Sequence, residues 1–251
     1  MQLRLLLSLA TAALAVSLAG VCRADTLKIC ADQNYLPYSN QAQQGFENAV
    51  AKAVAGYLGD DLVYTWSSYR GHGGYERFLA RTLDSGRCDV VLDVPSGSPG
   101  ALTTAPYYAS SYVFVFKKTS GYNLRGMDSP LLHKVKIGFE RHTPAEDGLK
   151  LRDLIETAVP FDIARHPSES PRRMLDAVRN GTVQVMITWE PAISGFLHDY
   201  PDLQIVRIPN TSATGNPEIY TFPMSMGVRP DDKALADKID AVIQEIGRAH
   251  V

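Results

Sequence analysis

The residues able to do chemistry are carboxylates and aromatics at strand ends, rather than nucleophile–base pairs. Glu140 follows the apolar run at 135–139, and Glu190 follows Trp189 after the run at 183–188. Such a carboxyl can act as a general acid, but neither glutamate belongs to a visible nucleophile–base pair. The G-x-x-x-x-G-K-[ST], H-E-x-x-H, C-x-x-C and G-x-S-x-G patterns are missing, as is a G-x-G-x-x-G after a strand. His72, His133, His142, His166, His198 and His250 are scattered with no i, i+4 pair. Metal ligands come in spaced clusters, so no metal and no cofactor is expected. The other candidates are Asp32, Gln33, Tyr35 and Tyr38 after one strand, Asp93 and Ser96 after another, Tyr107 and Tyr108 in Thr103-Thr-Ala-Pro106-Tyr107-Tyr108, and Thr143 beyond Glu140. Ligands bind outside the carboxyl ends of strands in open α/β sheets, in sites lined by aromatics with few polar groups. These residues are therefore expected to line a binding cleft.

The elements that must position them alternate. Strands are expected at 27–31, 62–66 and 89–94, rich in β-formers. Between them, Phe46, Val50, Val54 and Leu58 form one helical stripe closed by Gly59. Tyr75, Phe78, Leu79 and Leu83 form another, ended by Gly86. A β-rich run follows at 111–116. The pattern then restarts with strands at 135–139, 161–164 and 183–188. Helices fall at 145–154 (Thr143 the candidate cap, Pro144 at the start), 171–178 and 191–198. Late strands at 203–208 and 222–228 precede a terminal helix at 235–246. Strand–helix alternation predicts βαβ units on a parallel sheet, here as two α/β units in series. Strands 111–116 and 222–228 would connect them as a hinge around a cleft.

The chain has 251 residues, 45% hydrophobic, with 25 Lys+Arg against 27 Asp+Glu and a formal charge of −2. This is an ordinary globular composition of one large or two small domains. Without a basic excess, a nucleic-acid partner is not expected. The first 24 residues read as a secretory signal peptide: Arg4, an uncharged Leu/Ala-rich stretch at 5–19, and cleavage after Ala24. Cys22 allows a lipoprotein reading, although Val21 is larger than the residue usual before a lipidated Cys. No other apolar run reaches the ~20 residues of a membrane span, so a soluble exported protein is expected. Cleavage leaves Cys30 and Cys88, an even number in an oxidising compartment, expected as a disulfide with two buried thiols as the alternative. Cys30 is late in its strand and Cys88 precedes its own, so the bridge requires Cα atoms within about 7 Å.

Several blocks carry a family likeness: Ile29-Cys-Ala-Asp-Gln-Asn34, Leu36-Pro-Tyr-Ser39, Gly45-Phe-Glu-Asn48, Cys88-Asp-Val-Val91, Pro106-Tyr-Tyr108, Ser111-Tyr-Val-Phe-Val115, Ile137-Gly-Phe139 and Thr143-Pro-Ala-Glu146. Their order resembles a periplasmic solute-binding protein. Within that fold it resembles the MxaJ/XoxJ group associated with quinoprotein dehydrogenases, over about residues 27–246. The resemblance implies a two-lobed type II fold with hinge strands, lobe I being 25–117 plus about 215–251 and lobe II 118–214. It also implies a periplasmic, non-enzymatic accessory protein whose partner is a PQQ-dependent methanol dehydrogenase, calcium- and lanthanide-type enzymes both being open. Amino-acid-binding relatives carry an Arg before the Pro-Tyr block to grip an α-carboxylate. Residues 96–104 contain no Arg or Lys, so an amino-acid site is not expected. Where the group has Trp-Gly-Pro, this chain has Trp189-Glu190-Pro191, which would put a carboxylate near the cleft. Gly71-His-Gly-Gly74 has no counterpart in the family pattern.

Three functions compete. The first is the accessory protein, receiving an unfolded segment, partner loop or small ligand in an open aromatic cleft. The second is an ABC-transporter receptor for a small solute. The third is a dehydratase-like enzyme using Glu140 or Glu190.

Overall fold

The computed structural model describes residues 25–71 and 73–249. The expected signal peptide with Cys22, and also His72 and His250, lie outside the described residues. The elements run β1 (Thr26–Ala31), β2 (Asn34–Tyr35), β3 (Ser39–Asn40), α1 (Phe46–Leu58), β4 (Asp61–Trp66), α2 (Gly74–Arg81), β5 (Val90–Pro95), β6 (Leu102–Thr103) and β7 (Tyr108–Lys117). They continue with β8 (Ile137–Glu140), α3 (Pro144–Lys150), β9 (Val159–Phe161), α4 (Arg172–Arg179), β10 (Val185–Trp189), α5 (Glu190–Ser194), β11 (Leu203–Arg207), β12 (Thr221–Val228) and α6 (Lys233–Ala249).

The strand order is β4-β1-β5-β12-β7-β10-β8-β9, with β11 also on β7 and β6 on β12. The β1 pairings with β4 and β5 are parallel, as are β8 with β9 and β10. The expected parallel sheet is corrected at its centre, where β12 and β7 pair antiparallel with their neighbours. The physical reason is that these two strands carry the chain across between lobes in opposite senses. Residues 108–111 of β7 pair with β12, while residues 112–117 pair with β10 and β11. Every residue from Ser110 to Phe116 is buried, since this strand is covered on both faces. Val113 and Val115 pack with Met174, Leu175 and Val178, while Phe114 and Phe116 pack with Leu149 and Ile187. The alternation of successive side chains produces this division.

The first lobe packs Leu27, Ile29, Val90 and Val228 of its strands against Val54 of α1 and Ile239 of α6. Cys30 and Cys88 form a disulfide with Cα atoms 5.4 Å apart, among Phe78, Leu79 and Leu83. The Asp89 amide donates to the Lys28 carbonyl at 2.7 Å, which draws the segment before β5 onto β1 and overcomes the stagger.

Three boundaries depart from the pattern. The helix expected at 145–154 ends at Lys150, and Asp153 is left-handed with φ 55°. The strand expected at 161–164 stops at Phe161 and passes into a 3-10 turn, Ile163–Arg165. The helix expected at 191–198 is α5 followed by a separate 3-10 turn, Leu197–Asp199. No helix among the described residues is long and apolar enough to cross a membrane.

Candidate functional site

The loop after β1 is fixed by the start of α1. An α-helix leaves its first amides without intrahelical partners. Here the Phe46 amide donates to the Pro37 carbonyl at 3.0 Å and the Glu47 amide to the Tyr38 carbonyl at 2.9 Å. Gly45 permits this approach, since a Cβ there would lie 1.9 Å from the Tyr38 carbonyl oxygen. The loop is thereby held with the Tyr35 and Tyr38 rings stacked, centroids 4.8 Å apart.

Asp93 is aimed by a β-bulge. The β5–β12 register shifts between Ser225 and Gly227, so Val91 and Val94 on β5 are matched to closer-spaced residues on β12. Asp93 lies inside this irregularity with φ 58°. Bulges re-aim side chains beside functional sites, and strained non-glycine backbone collects there. The Asp93 amide donates to the Tyr107 hydroxyl at 3.2 Å, and the Tyr108 hydroxyl donates to the Asp93 carboxylate.

Glu140 and Trp189 of the second lobe, with Tyr112 and Phe222 of the crossing strands, supply the opposite wall. Glu140 ends β8, His142 is left-handed with φ 61°, and the Thr143 hydroxyl donates to the Glu140 carbonyl at 2.7 Å. Tyr112 of β7 and Trp189 of β10 have ring centroids 5.3 Å apart, and Phe222 of β12 lies 6.0 Å from Trp189. The open cleft measures about 440 Å³, with Tyr35, Tyr38 and Asp93 on one side and Tyr112, Glu140 and Trp189 on the other.

Burial sets the electrostatics. It pushes Glu140 up to about 7, helped by the Asp162 carboxylate and opposed by Arg70. It pushes Asp93 up to about 6, opposed by the hydrogen bond from Tyr108. Removing a carboxyl from water disfavours its charged form. Glu140 is 7% exposed, and its carboxyl accepts no hydrogen bond among the described residues. Glu47, buried at the start of α1, is likewise raised by burial, with Asp93 adding to the effect.

Arg70 clasps the lobes. It follows β4, and its side chain is 2% exposed. One terminal nitrogen donates to the Glu169 carbonyl at 2.9 Å; the other donates to Asn34 at 2.5 Å and Pro167 at 2.7 Å. Its guanidinium stands 4.0 Å over the Tyr35 ring and 3.8 Å from the Asp32 carboxylate. The Gly71 amide adds a bond to the Ala164 carbonyl at 2.8 Å.

Of the sequence candidates, Tyr35, Tyr38, Asp93, Glu140, Thr143 and Trp189 line this cleft. Tyr107, Tyr108 and Glu190 line an adjoining depression with Phe46, where Glu190 pairs with Arg207 at 3.2 Å. Asp32 is spent internally, accepting from the Asn34 amide and the Ser68 hydroxyl beside Arg70. Gln33 is exposed, and Ser96 is exposed and bonded to the Ser225 hydroxyl at 2.6 Å. Sequence reasoning missed Arg70, and also Arg141, His142, Phe222 and Met224, which line the cleft. Arg141 and His142 could have been sought beside Glu140 as neighbours of a strand end. No group of three His, Cys, Asp or Glu able to hold a metal occurs among the described residues.

The chain is 29% identical over 240 residues to Protein MoxJ of Methylorubrum extorquens, covering 88% of this chain and 77% of the relative. It is 26% identical over 265 residues to Protein MoxJ of Paracoccus denitrificans, covering 95% and 90%. The crystal structure of MxaJ from Methlophaga aminisulfidivorans MPT matches with a TM-score of 0.79 and 26% identity, over 87% of this chain and 93% of that one. This chain is similar to MxaJ/XoxJ-type solute-binding-like proteins. The XoxJ structure from Methylobacterium extorquens AM1 matches with a TM-score of 0.62 and 26% identity, over 87% and 96%. An ancestral cationic amino acid solute-binding protein, 18% identical with a TM-score of 0.68 over 89% and 90%, shares the two-lobed type II fold. No family model matches the chain.

Proposed function

We propose that the protein is a non-enzymatic periplasmic accessory protein that interacts with or activates a PQQ-dependent methanol dehydrogenase, of the calcium or the lanthanide type. The observation that carries this reading is the MxaJ match, which extends over both lobes and most of each chain. The cleft residues support a binding role: Tyr35, Tyr38, Tyr112 and Trp189 line it with aromatic surface, and the Asp93 carboxylate already accepts from Tyr108. In this reading lobe I is residues 25–117 plus about 215–251, and lobe II is 118–214. The test is capture of the tagged protein from periplasm, followed by dehydrogenase assays with and without it. Enrichment of a quinoprotein dehydrogenase and a change in its turnover are expected. Neither effect with calcium- or lanthanide-type enzyme would overturn the reading.

The aromatic cleft favours a second reading, an ABC-transporter receptor for a small solute. A ligand bound only by the native state raises Tm by mass action. A large Tm rise with one metabolite, without dehydrogenase capture, supports the receptor.

A further inference from the structure

We propose that the interlobe cleft binds an alkylammonium group, its N–H donors meeting the Glu140 carboxylate and its carbons resting on the aromatic wall. The observation is an imbalance of donors. Glu140 is 7% exposed, lines the cleft and accepts no hydrogen bond among the described residues. Asp162, outside the cleft lining, has a buried carboxylate oxygen without a partner and adds negative charge near Glu140. The third acid, Asp93, receives a side-chain hydrogen bond from Tyr108. Buried carboxylates are ordinarily hydrogen-bonded or paired, so a cleft-lining carboxylate without a protein donor is open to a donor from outside.

The resident cations do not fill that need. Arg70 acts on Glu140 only through its charge and forms no hydrogen bond with it, its terminal nitrogens being committed to the carbonyls of Asn34, Pro167 and Glu169. Arg141 and His142 line the cleft but are exposed, and neither bonds Glu140. The rest of the wall fits a carbon-bearing cation. Tyr112, Trp189 and Phe222 form a continuous aromatic surface, with centroid separations of 5.3, 6.0 and 6.4 Å. Aromatic faces attract cations through their quadrupole, most strongly for Trp. An N–H-bearing ammonium suits Glu140 better than a quaternary one, because a quaternary nitrogen cannot satisfy an acceptor. The same chemistry can come from a free amine or from a lysine side chain of a polypeptide.

The test uses the isolated full chain, so its failure is separate from failure of the dehydrogenase partnership. Calorimetric titrations are run with n-butylammonium, with Nα-acetyl-lysine methylamide, and with n-butanol as an uncharged control. Saturable binding of either cation and none of the alcohol is expected. Binding of n-butylammonium identifies a free amine as sufficient; binding confined to the lysine derivative identifies a polypeptide source. Glu140→Gln should weaken the dissociation constant by roughly tenfold or more, the scale of one charge-assisted hydrogen bond. A fluorescence measurement serves if that variant does not fold. The chain has two tryptophans, so Trp66→Phe leaves Trp189 as sole emitter, and its emission should change saturably with the cation and not with butanol. No binding of either cation, unaltered affinity in a folded Glu140→Gln protein, or unaltered Trp189 emission overturns the proposal.

Discussion

Arg70, placed after a strand of the first lobe, donates to the carbonyl of Pro167 in the second at 2.7 Å. The bond belongs to a five-part arrangement with Glu169, Asn34, the Tyr35 ring and Asp32. The lobes are therefore fastened by the chain's own guanidinium rather than by a ligand alone.

Arg70→Ala should separate the lobes and destabilise the protein. Deleting one member of a buried ion pair strands the other, at a cost of roughly 3–5 kcal/mol. Arg70→Lys keeps the charge but loses the planar fork that serves three carbonyls, so it should fall between. Small-angle scattering should give a larger radius of gyration for the Ala variant, and urea titration a lower midpoint. Wild-type values for both would show that the clasp is dispensable.

Glu140 makes stability depend on pH. Its carboxyl titrates near 7 in the folded protein, above the ordinary 4.5 for a glutamate. The native state thus holds a proton that the unfolded chain releases first. This contribution is fully present below the unfolded value and is lost as pH rises through about 7. Asp93, raised to about 6, acts in the same direction over a lower window. Between pH 5 and pH 8, Glu140 alone should account for a loss on the order of 3 kcal/mol. Glu140→Gln should flatten that decline and be the more stable protein at pH 8. Denaturant midpoints at the two pH values measure this, and equal slopes for both proteins would refute it.

Reduction of the disulfide should be costly, because Cys30 and Cys88 are 58 residues apart. The chain-entropy relation for a closed loop of that length gives about 4 kcal/mol. Cys30→Ala/Cys88→Ala protein should unfold at a lower urea concentration than the oxidised wild type. Reductant should shift the wild type in the same way and leave the double variant unmoved.

Gly45→Ala should disturb the tyrosine loop. The new methyl would meet the Tyr38 carbonyl at 1.9 Å, and backbone must move to relieve it. Overpacking of this kind costs about 1–3 kcal/mol. Altered near-ultraviolet tyrosine dichroism and a lower Tm are expected, whereas Gly56→Ala, with open space at its Cβ, should be neutral or stabilising.

Elements with local signatures were legible in the sequence. The Phe46–Val50–Val54–Leu58 stripe is α1, and Gly59 closes it with φ 76°. The continuous apolar run at 111–116 lies in a strand buried on both faces. What escaped depends on pairing between distant segments. The Asp93 bulge is a property of two strands in register, and neither carries it alone. Arg70 finds carbonyls 97 and 99 residues away, and a carbonyl has no sequence signature. Trp189 and Glu190 are adjacent, yet Trp189 ends β10 and Glu190 begins α5. Trp189 therefore lines the cleft, while Glu190 lines the next depression with Arg207.

The crossing strands set the mechanics of any opening. β7 is one unbroken strand whose first four residues belong to a ladder with β12 and whose remainder belongs to ladders with β10 and β11. Such a connection has no slack loop in which a few dihedrals can swing freely. Relative movement of the lobes must be taken up as torsion distributed along hydrogen-bonded ribbon, with a restoring force that grows with angle. The protein is accordingly built as a flexure, in which small rotations are easy and wide gaping strips bonds from the sheet itself.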